Sequence, residues 1–306
     1  MSPSSSSLSA SYALALQAAR QAAGHQDFPA GTLYVVATPI GNLADISLRA
    51  LHVLGLVDAI ACEDTRHTQQ MLRAYGLERP GAQLLAVHQH NEAEAAQAVL
   101  DRLAQGQRIA YVSDAGTPAI SDPGARLVQA ARGAGHRIMP LPGASSITTL
   151  LSAAGMTGDG FVFTGFLPSK ATERQQAIAT LAQEKRAVVM LEAPHRIGAL
   201  AEALSVLGER PVTIGRELTK QFEQIETLQA RALPQWLAER PEHQRGEFVL
   251  VVHDQAVATT QGEGERVLQC LLAELPVKTA VKLAAEISGE PRNALYERAL
   301  ALKKDL

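Results

Sequence analysis

Residues 108–124 read RIAYVSDAGTPAISDPG and combine a strand signal with an unusual loop. The run RIAYV is short, apolar and β-rich, which is typical of a buried strand. The twelve residues that follow it contain two Asp, one Thr and two Ser among Pro and Gly. Pro and Gly fix the backbone and let main-chain groups approach a ligand closely. The stretch therefore predicts a buried strand that ends in a ligand-binding loop.

Four further β-rich runs surround this strand in the sequence and begin at Leu33, Ala59, Leu84 and Arg137. Helical stretches separate them, and this alternation is typical of a mainly parallel sheet with crossover helices. A second series contains the strand runs FVFTGF, RAVVML, VTIGREL and EFVLVV. The sequence thus predicts an N-terminal α/β domain at 31–155 and a C-terminal α/β domain at 156–254.

Residue types at the ends of the helical stretches predict where those helices begin and end. Ser47 and Asn91 precede two of them and are good N-caps. Gly76 and Gly106 follow two of them, where a left-handed backbone commonly ends a helix.

The two ends of the chain differ from the α/β part in composition. Residues 1–30 are rich in Ser, Ala and Gln, and we expect a disordered extension. Residues 255–263 are polar and contain Gly, which favours a linker. Three helical segments follow and predict a small helical domain at 264–306.

Composition narrows the class of protein. With 28 Lys and Arg against 31 Asp and Glu, the net charge is −3, so a nucleic-acid partner would have to meet a local basic patch. Cys62 and Cys270 are too few for a disulfide framework or a zinc site, which favours a reducing, cytoplasmic setting. No apolar run approaches the roughly 18 residues of a membrane span, so we expect no membrane partner.

Four loops with unusual sequences follow strands of the first series: TPIGNLADIS, CEDTRHT, SDAGTPAISDPG and PGASS. Ligands bind at the carboxyl ends of strands in open α/β sheets, so the four loops predict one ligand site. The chain contains neither G-x-G-x-x-G after the first strand nor a P-loop motif, which argues against a dinucleotide fold and a P-loop NTPase. His88 and His90 lack a matching Cys or His cluster, so we expect no metal.

Seven motifs in order resemble the tetrapyrrole-methylase fold family, and in particular its branch that modifies ribosomal RNA: TPIGNLADIS, EDTR, SDAGTPAISDPG, PGASS, EAPHR, GRELTKQFE and GEFVLVV. The similarity runs from about residue 31 to 254. The last three helical segments resemble the helix-turn-helix-like tail of that branch. The resemblance implies two α/β domains with a cofactor cleft between them and a small helical C-terminal domain.

The resemblance also implies an activity. The rRNA branch uses S-adenosylmethionine to methylate the 2′-hydroxyl of a cytidine ribose in 16S rRNA, acting on the RNA or the small ribosomal subunit as a cytoplasmic homodimer. Two alternatives stay open: a methyltransferase for precorrin or uroporphyrinogen, and a non-catalytic RNA-binding module. The extra helical domain and the motifs EDTR and EAPHR favour the rRNA branch over the first alternative.

The cofactor residues implied by the resemblance lie mostly in the strand-end loops. Where tetrapyrrole methylases have Gly-Asp-Pro, this chain has Gly116, Thr117 and Pro118, and we expect Asp114 to supply the missing charge. The implied cofactor contacts are Pro39, Asp114, Ala115, Gly116, Thr117, Ile120, Ser145, Ser146, Leu191 and Leu218. Leu191 and Leu218 are equally compatible with ordinary core positions.

A ribose hydroxyl is a poor nucleophile until its proton is removed, which calls for a base. Asp64 and Glu63 both follow the second strand, and the resemblance to tetrapyrrole methylases makes Asp64 the first candidate for this catalytic role and Glu63 the second. Alternatively, Asp64 caps the next helix or pairs with Arg66. Basic residues expected to hold the RNA substrate are Arg66, Lys170, His195, Arg196, Arg216 and Lys220, although each is also compatible with a solvated charge or an ion pair.

Overall fold

A computed structural model describes residues 5–88, 92–121, 124–158, 160–255 and 263–302. Its α/β part consists of two five-stranded sheets that follow each other along the chain. The predicted fold class, two α/β domains followed by a helical domain, is confirmed.

The first sheet is entirely parallel and has the strand order β3-β2-β4-β1-β5. Three of its strands, β1, β2 and β4, are buried along their whole length, because helices cover both faces. All five carboxyl ends therefore point to one edge. The strands are β1 (Thr32–Val36), β2 (Ala59–Cys62), β3 (Leu84–Ala86), β4 (Ile109–Val112) and β5 (Arg137–Leu141). The helices are α2 (Leu48–Leu56), α3 (Thr65–Ala74), α4 (Glu92–Ala104) and α5 (Gly124–Gly133).

Predicted helix ends agree with the structure where it describes them. The Ser47 hydroxyl accepts a hydrogen bond of 3.1 Å from the amide of Ala50 and caps α2. Gly76 and Gly106 follow α3 and α4 with φ of +76° and +80°. Asn91 lies outside the described residues.

The second sheet is mixed, in contrast to the parallel arrangement of the first. Its order is β6-β7-β10-β8-β9, and only the β6–β7 pair is parallel. Antiparallel strands need only a short connection, and residues 217–223 supply one between β8 and β9. The strands are β6 (Phe161–Phe166), β7 (Ala187–Glu192), β8 (Pro211–Arg216), β9 (Gln224–Gln229) and β10 (Phe248–Val252). The helices are α7 (Ala171–Gln183), α8 (Ile197–Leu204) and α9 (Leu233–Glu239).

Helix α6 (Ser146–Ala153) connects the two sheets. It precedes the boundary predicted at residue 155, yet its Leu150 is fully buried in a cluster with Val189 and Val249 of the second sheet. Ile40, from the loop after β1, belongs to the same cluster. The two α/β domains therefore share a continuous apolar contact beside the strand-end loops.

The N-terminal segment differs from the disordered extension expected for residues 1–30. Residues 5–23 form helix α1 (Ser5–Ala23), with Ala19 and Ala23 buried against the first domain and Tyr12 and Leu16 packed on the same core. Positions 12, 16, 19 and 23 recur at helical spacing, which places them on one face. The expectation of disorder is wrong for these residues. The helical spacing of their apolar side chains lets them pack on the first domain, although the segment is rich in Ser and Ala. Residues 1–4 lie outside the described residues.

Three helices form the C-terminal domain, as predicted: α10 (Glu263–Leu272), α11 (Val277–Ser288) and α12 (Arg292–Leu302). Leu268, Val281 and Leu295, one from each helix, meet in its core. Most of the predicted linker, residues 256–262, lies outside the described residues. Within the described residues, no helix combines the length and the apolar character needed to cross a bilayer.

Candidate functional site

Three of the four unusual loops are joined at the carboxyl edge of the first sheet. Thr38 and Gly116 exchange two backbone hydrogen bonds of 3.0 Å, which join the loop after β1 to the loop after β4. The Thr117 hydroxyl donates a 3.0 Å hydrogen bond to the carbonyl of Ala144 in the loop after β5. Thr117, expected near the cofactor, thus uses its hydroxyl to hold two loops together.

Gly116 occupies a position that disfavours residues with a side chain. Its φ is +82°, in the left-handed region that favours glycine. A Cβ added there would lie 3.3 Å from Cγ2 of Ile40, which is tighter than ordinary packing. Ala119, three residues later, adopts φ +66° despite its side chain, so this loop is strained.

A cleft of about 410 Å³ lies between the two α/β domains and has a volume typical of ligand pockets. Four of the ten expected cofactor residues line it, namely Ala115, Ser146, Leu191 and Leu218. Sequence reasoning missed further lining residues from both domains: Ile40, Ser121, Phe166, Glu192, Ala193, Pro194, Glu247, Phe248 and Val249. All of these except Phe166 belong to the seven motifs quoted above, so the motifs were the signal that could have found them.

Glu192 places a buried carboxylate in the wall of this interdomain cleft. Its Oε1 accepts a 2.8 Å hydrogen bond from the amide of Ala193 and pairs with Nε of Arg196 at 3.0 Å. Its Oε2 is buried and has no hydrogen-bond partner among the described residues. A cofactor with a neutral aromatic base, hydroxyls and an ammonium group matches apolar walls around such an acceptor.

A second cleft of about 560 Å³ adjoins the interdomain cleft and shares Ile40, Ala115 and Glu247 with it. Pro39 and Asp114, both expected at the cofactor, line this second cleft and are absent from the lining of the first. Its other lining residues are Gly41, Leu43, His67, Gln70, Met71, Ala74 and Lys220. The remaining expected cofactor residues, Gly116, Thr117, Ile120 and Ser145, line neither cleft and lie in the adjoining loops.

Asp64 caps helix α3. Its Oδ1 accepts backbone hydrogen bonds from Arg66 at 2.8 Å and His67 at 3.3 Å, and Nε of Arg66 lies 3.7 Å away. These bonds, first that of Arg66 and then that of His67, lower the pKa of Asp64. Such a carboxylate is a weaker base than an ordinary one.

Asp114 lies beside both candidate catalytic carboxylates. Its Oδ1 accepts a 3.2 Å hydrogen bond from the amide of Asp64, and its own amide donates to Oε1 of Glu63 at 3.4 Å. Neither Glu63 nor Asp64 is among the residues that line the two clefts. Among the described acidic residues that follow β2 and β4, Asp114 therefore lines a cleft.

The six expected RNA contacts divide into exposed and internally bonded side chains. Arg66 is 92% exposed, and Lys170 and His195 are also exposed. Arg196 pairs with buried Glu192 and also donates to the carbonyl of Leu167.

Arg216 and Lys220 are held inside the protein. Arg216 is buried and donates to the carbonyls of Arg245 at 2.8 Å and Phe222 at 3.0 Å. Nζ of Lys220 lies 2.8 Å from Oε1 of Glu217 and 3.0 Å from Oε2 of Glu247. Partial burial opposes the charged form, but these two bonds outweigh it and raise the pKa of Lys220.

The described residues contain no group of three or more His, Cys, Asp or Glu side chains that could hold a metal ion. The site is thus built from apolar walls, backbone groups and a few paired charges.

Two family models match the chain. The model described as Tetrapyrrole (Corrin/Porphyrin) Methylases matches residues 32–234, which include both sheets. The model described as RsmI C-terminal HTH domain matches residues 258–303, which include α10 to α12. Helix α1 lies outside both matches.

Relatives and solved structures agree with these matches. A protein named ribosomal RNA small subunit methyltransferase I from Pseudomonas aeruginosa is 47% identical over 89% of this chain and 97% of its own length. A protein of the same name from Escherichia coli O157:H7 is 47% identical over 88% and 95%. Uroporphyrin-III C-methyltransferase from Thermus thermophilus, solved in complex with S-adenosyl homocysteine, shares the fold with a TM-score of 0.50 and 16% identity, over 72% of this chain and 96% of its own.

The interdomain cleft, the family models and the near-complete coverage of these relatives lead to one assignment. This chain belongs to the family of ribosomal RNA small subunit methyltransferase I, within the tetrapyrrole methylases.

Proposed function

We propose that this chain transfers a methyl group from S-adenosylmethionine to the 2′-hydroxyl of a cytidine in 16S rRNA. The observation that carries the proposal is the interdomain cleft, which combines the Gly116 loop with apolar walls from the second sheet and lies beside a second cleft that is wide enough for a substrate. The names of the relatives, which are rRNA methyltransferases, support this substrate class.

The residues of the interdomain cleft would hold the cofactor chiefly through shape. Leu191, Leu218 and Val249 offer apolar surface for an adenine ring, and Glu192 offers a buried acceptor. When bound, S-adenosylmethionine supplies a methyl group on a positively charged sulfur. The chain's own contribution is to hold the acceptor hydroxyl in line with that group and to keep water out.

The base that accepts the hydroxyl proton is proposed to be Glu63 or Asp64, the two carboxylates after β2. Asp64 is the weaker candidate, because its Oδ1 caps α3 and its pKa is lowered. Glu63, whose Oε1 accepts a hydrogen bond from the amide of Asp114, therefore becomes the first candidate, and the order expected from the sequence is reversed. To reach the acceptor hydroxyl, its carboxylate has to turn toward the second cleft, which neither carboxylate lines.

RNA binding is proposed for the exposed cations and for the helical tail. Arg66 and His195 are exposed and available to phosphates, and Lys170 is exposed although its Nζ lies 3.0 Å from Oε1 of Glu173. In contrast, Arg196 and Arg216 are bonded within the protein. The tail from residue 264 carries seven basic and six acidic residues, so its contribution would depend on shape more than on charge. Homodimer formation, the small ribosomal subunit as the substrate form and a cytoplasmic location belong to the same proposal.

The test is methylation of defined RNA by the purified chain. Radiolabelled S-adenosylmethionine is supplied together with either naked 16S rRNA or small subunits from a strain that lacks this protein, and the modified ribose is mapped. We expect one methylated cytidine 2′-hydroxyl, which is absent from rRNA of the deletion strain. Methylation of a tetrapyrrole but of neither RNA form would favour the first alternative, and failure to bind the cofactor in calorimetry would favour the non-catalytic module.

A further inference from the structure

The second cleft has the position that the methyl acceptor requires. It shares Ile40, Ala115 and Glu247 with the interdomain cleft, so the two volumes meet at one wall. Methyl transfer demands that acceptor oxygen and methyl carbon come within contact distance. A ligand seated in the second cleft would adjoin a cofactor held in the interdomain cleft.

The lining of the second cleft matches a planar base better than a phosphate. Leu43, Met71 and Ala74 give it an apolar surface on which a ring can lie. The lining lysine, Lys220, is neutralised by its bonds to Glu217 and Glu247. With Asp114 also present, the lysine and the carboxylate of the described lining leave no lysine or arginine free for a phosphate.

Asp114 presents an acceptor at this cleft. Its Oδ1 is occupied by the amide of Asp64 at 3.2 Å. Among the described residues, its Oδ2 forms no further hydrogen bond or ion pair, so this oxygen is available to a ligand. A carboxylate accepts a hydrogen bond from the exocyclic amine of cytosine, whereas it opposes the carbonyl that uracil has at the same position.

Proteins that read the sequence of RNA mostly do so at single-stranded nucleotides, whose bases are splayed out of the stack and held in pockets. We propose that the second cleft receives the extruded target nucleoside and that Oδ2 of Asp114 selects an amino-bearing pyrimidine. This inference rests on the proposed function and adds to it the residue that reads the base. In this proposal Asp114 contacts the substrate, whereas the sequence analysis expected it to contact the cofactor.

The substitution Asp114→Asn tests this role with little change in shape. Its amide oxygen can keep the bond to the Asp64 amide, so an NH₂ group takes the place of Oδ2 and faces the base. That NH₂ is a donor, so it cannot bond to the amine of cytosine, which is also a donor, but it can donate to the carbonyl of uracil. We expect the original protein to methylate RNA with cytidine at the target at least tenfold faster than RNA with uridine there, and Asp114→Asn to reduce this ratio at least tenfold.

Single-turnover methylation of the two RNAs measures the ratio, and calorimetry with S-adenosylhomocysteine measures cofactor affinity. Asp45→Asn is the matched control, since Asp45 is exposed on the loop after β1 and lines neither cleft. Ala74→Phe fills the second cleft, and we expect it to raise KM for RNA at least tenfold with unchanged cofactor affinity.

Three outcomes would overturn the inference. An unchanged cytidine-to-uridine ratio in Asp114→Asn would remove Asp114 from base selection. A tenfold loss of cofactor affinity with that unchanged ratio would return Asp114 to the cofactor site. If the original protein binds S-adenosylhomocysteine but methylates neither RNA, the proposed function itself fails, and this result is distinct from a failure of Asp114 alone.

Discussion

The ring of Tyr12 in helix α1 meets the ring of Tyr75 edge-on, with centroids 5.0 Å apart and an interplanar angle of 78°. The Tyr75 hydroxyl donates a 2.6 Å hydrogen bond to the carbonyl of Leu43, which lines the second cleft. Burial raises the pKa of Tyr75, so its hydroxyl stays protonated and remains a donor at neutral pH. Helix α1, which lies outside both family models, therefore packs on a residue that supports the wall of the second cleft.

Replacement of Tyr12 tests whether α1 is part of the folded core. We expect Tyr12→Ala to lower the free energy of unfolding by about 1–3 kcal/mol, because an aromatic pair and partly buried surface are lost. Leu14→Ala is the control, since Leu14 is 76% exposed on the same helix. Urea unfolding compares the two variants, and equal stabilities would show that α1 contributes nothing to the core.

The Gly116 loop provides a test of the cofactor site. Gly116→Val adds a β-branched side chain at φ +82° and directs it against Ile40, which lines both clefts. We expect at least a tenfold loss of affinity for S-adenosylhomocysteine, about 1.4 kcal/mol. Calorimetry measures this affinity.

Gly106→Val is the matched control for that substitution. Gly106 has nearly the same φ, +80°, but a Cβ there would meet no atom within 4 Å among the described residues. Both variants carry backbone strain, whereas only Gly116→Val changes the wall of the clefts. Similar affinities in the two variants would mean that the Gly116 loop does not contact the cofactor.

The rates of methyl transfer in two variants distinguish between the two carboxylates after β2. In Glu63→Gln we expect the single-turnover rate of methyl transfer to fall 10²- to 10⁴-fold, as for loss of a general base. In Asp64→Asn we expect a rate within a few-fold of the original, because an amide oxygen can still cap α3 and the carboxylate it replaces is a weak base. The opposite pattern would return the catalytic role to Asp64.

Acid should destabilise the Asp64→Asn variant less than the original protein. The pKa of Asp64 is lower in the folded chain than in the unfolded chain, so its charged form adds stability above the unfolded value. This stability is lost as pH falls through the folded pKa, below about 4. We therefore expect the acid-induced decrease of the melting temperature to be smaller in Asp64→Asn than in the original protein, and a scan from pH 7 to pH 3 measures it.

Removal of the tail separates cofactor binding from RNA binding. Both walls of the interdomain cleft lie before residue 255, so a chain truncated after Asp254 should bind S-adenosylhomocysteine with unchanged affinity. We expect its methylation of RNA to fall at least tenfold, because the helical domain is proposed to hold the substrate. The control is Leu295→Ala, which disturbs only the core of the tail. Full activity of the truncated chain would assign the tail to another role.

Local chemistry made much of the fold predictable from the sequence. Apolar β-rich runs predicted the strands of the first sheet, Ser47 predicted a helix start, and Gly76 and Gly106 predicted helix ends. These features depend on a few neighbouring residues. Strand β9 escaped prediction, since it is an exposed edge strand without an apolar face.

The order of loops around the site was also determined by the sequence, because the carboxyl ends of parallel strands meet at one edge. Which side chains of those loops serve the site was decided only by tertiary structure. Arg216 bonds to a carbonyl 29 residues away, and the acceptor of Asp64's amide is 50 residues away. Pairing and burial of this kind join segments that are distant in the chain. Spacing within one motif therefore does not specify which charged side chain is paired within the protein and which one faces a cleft.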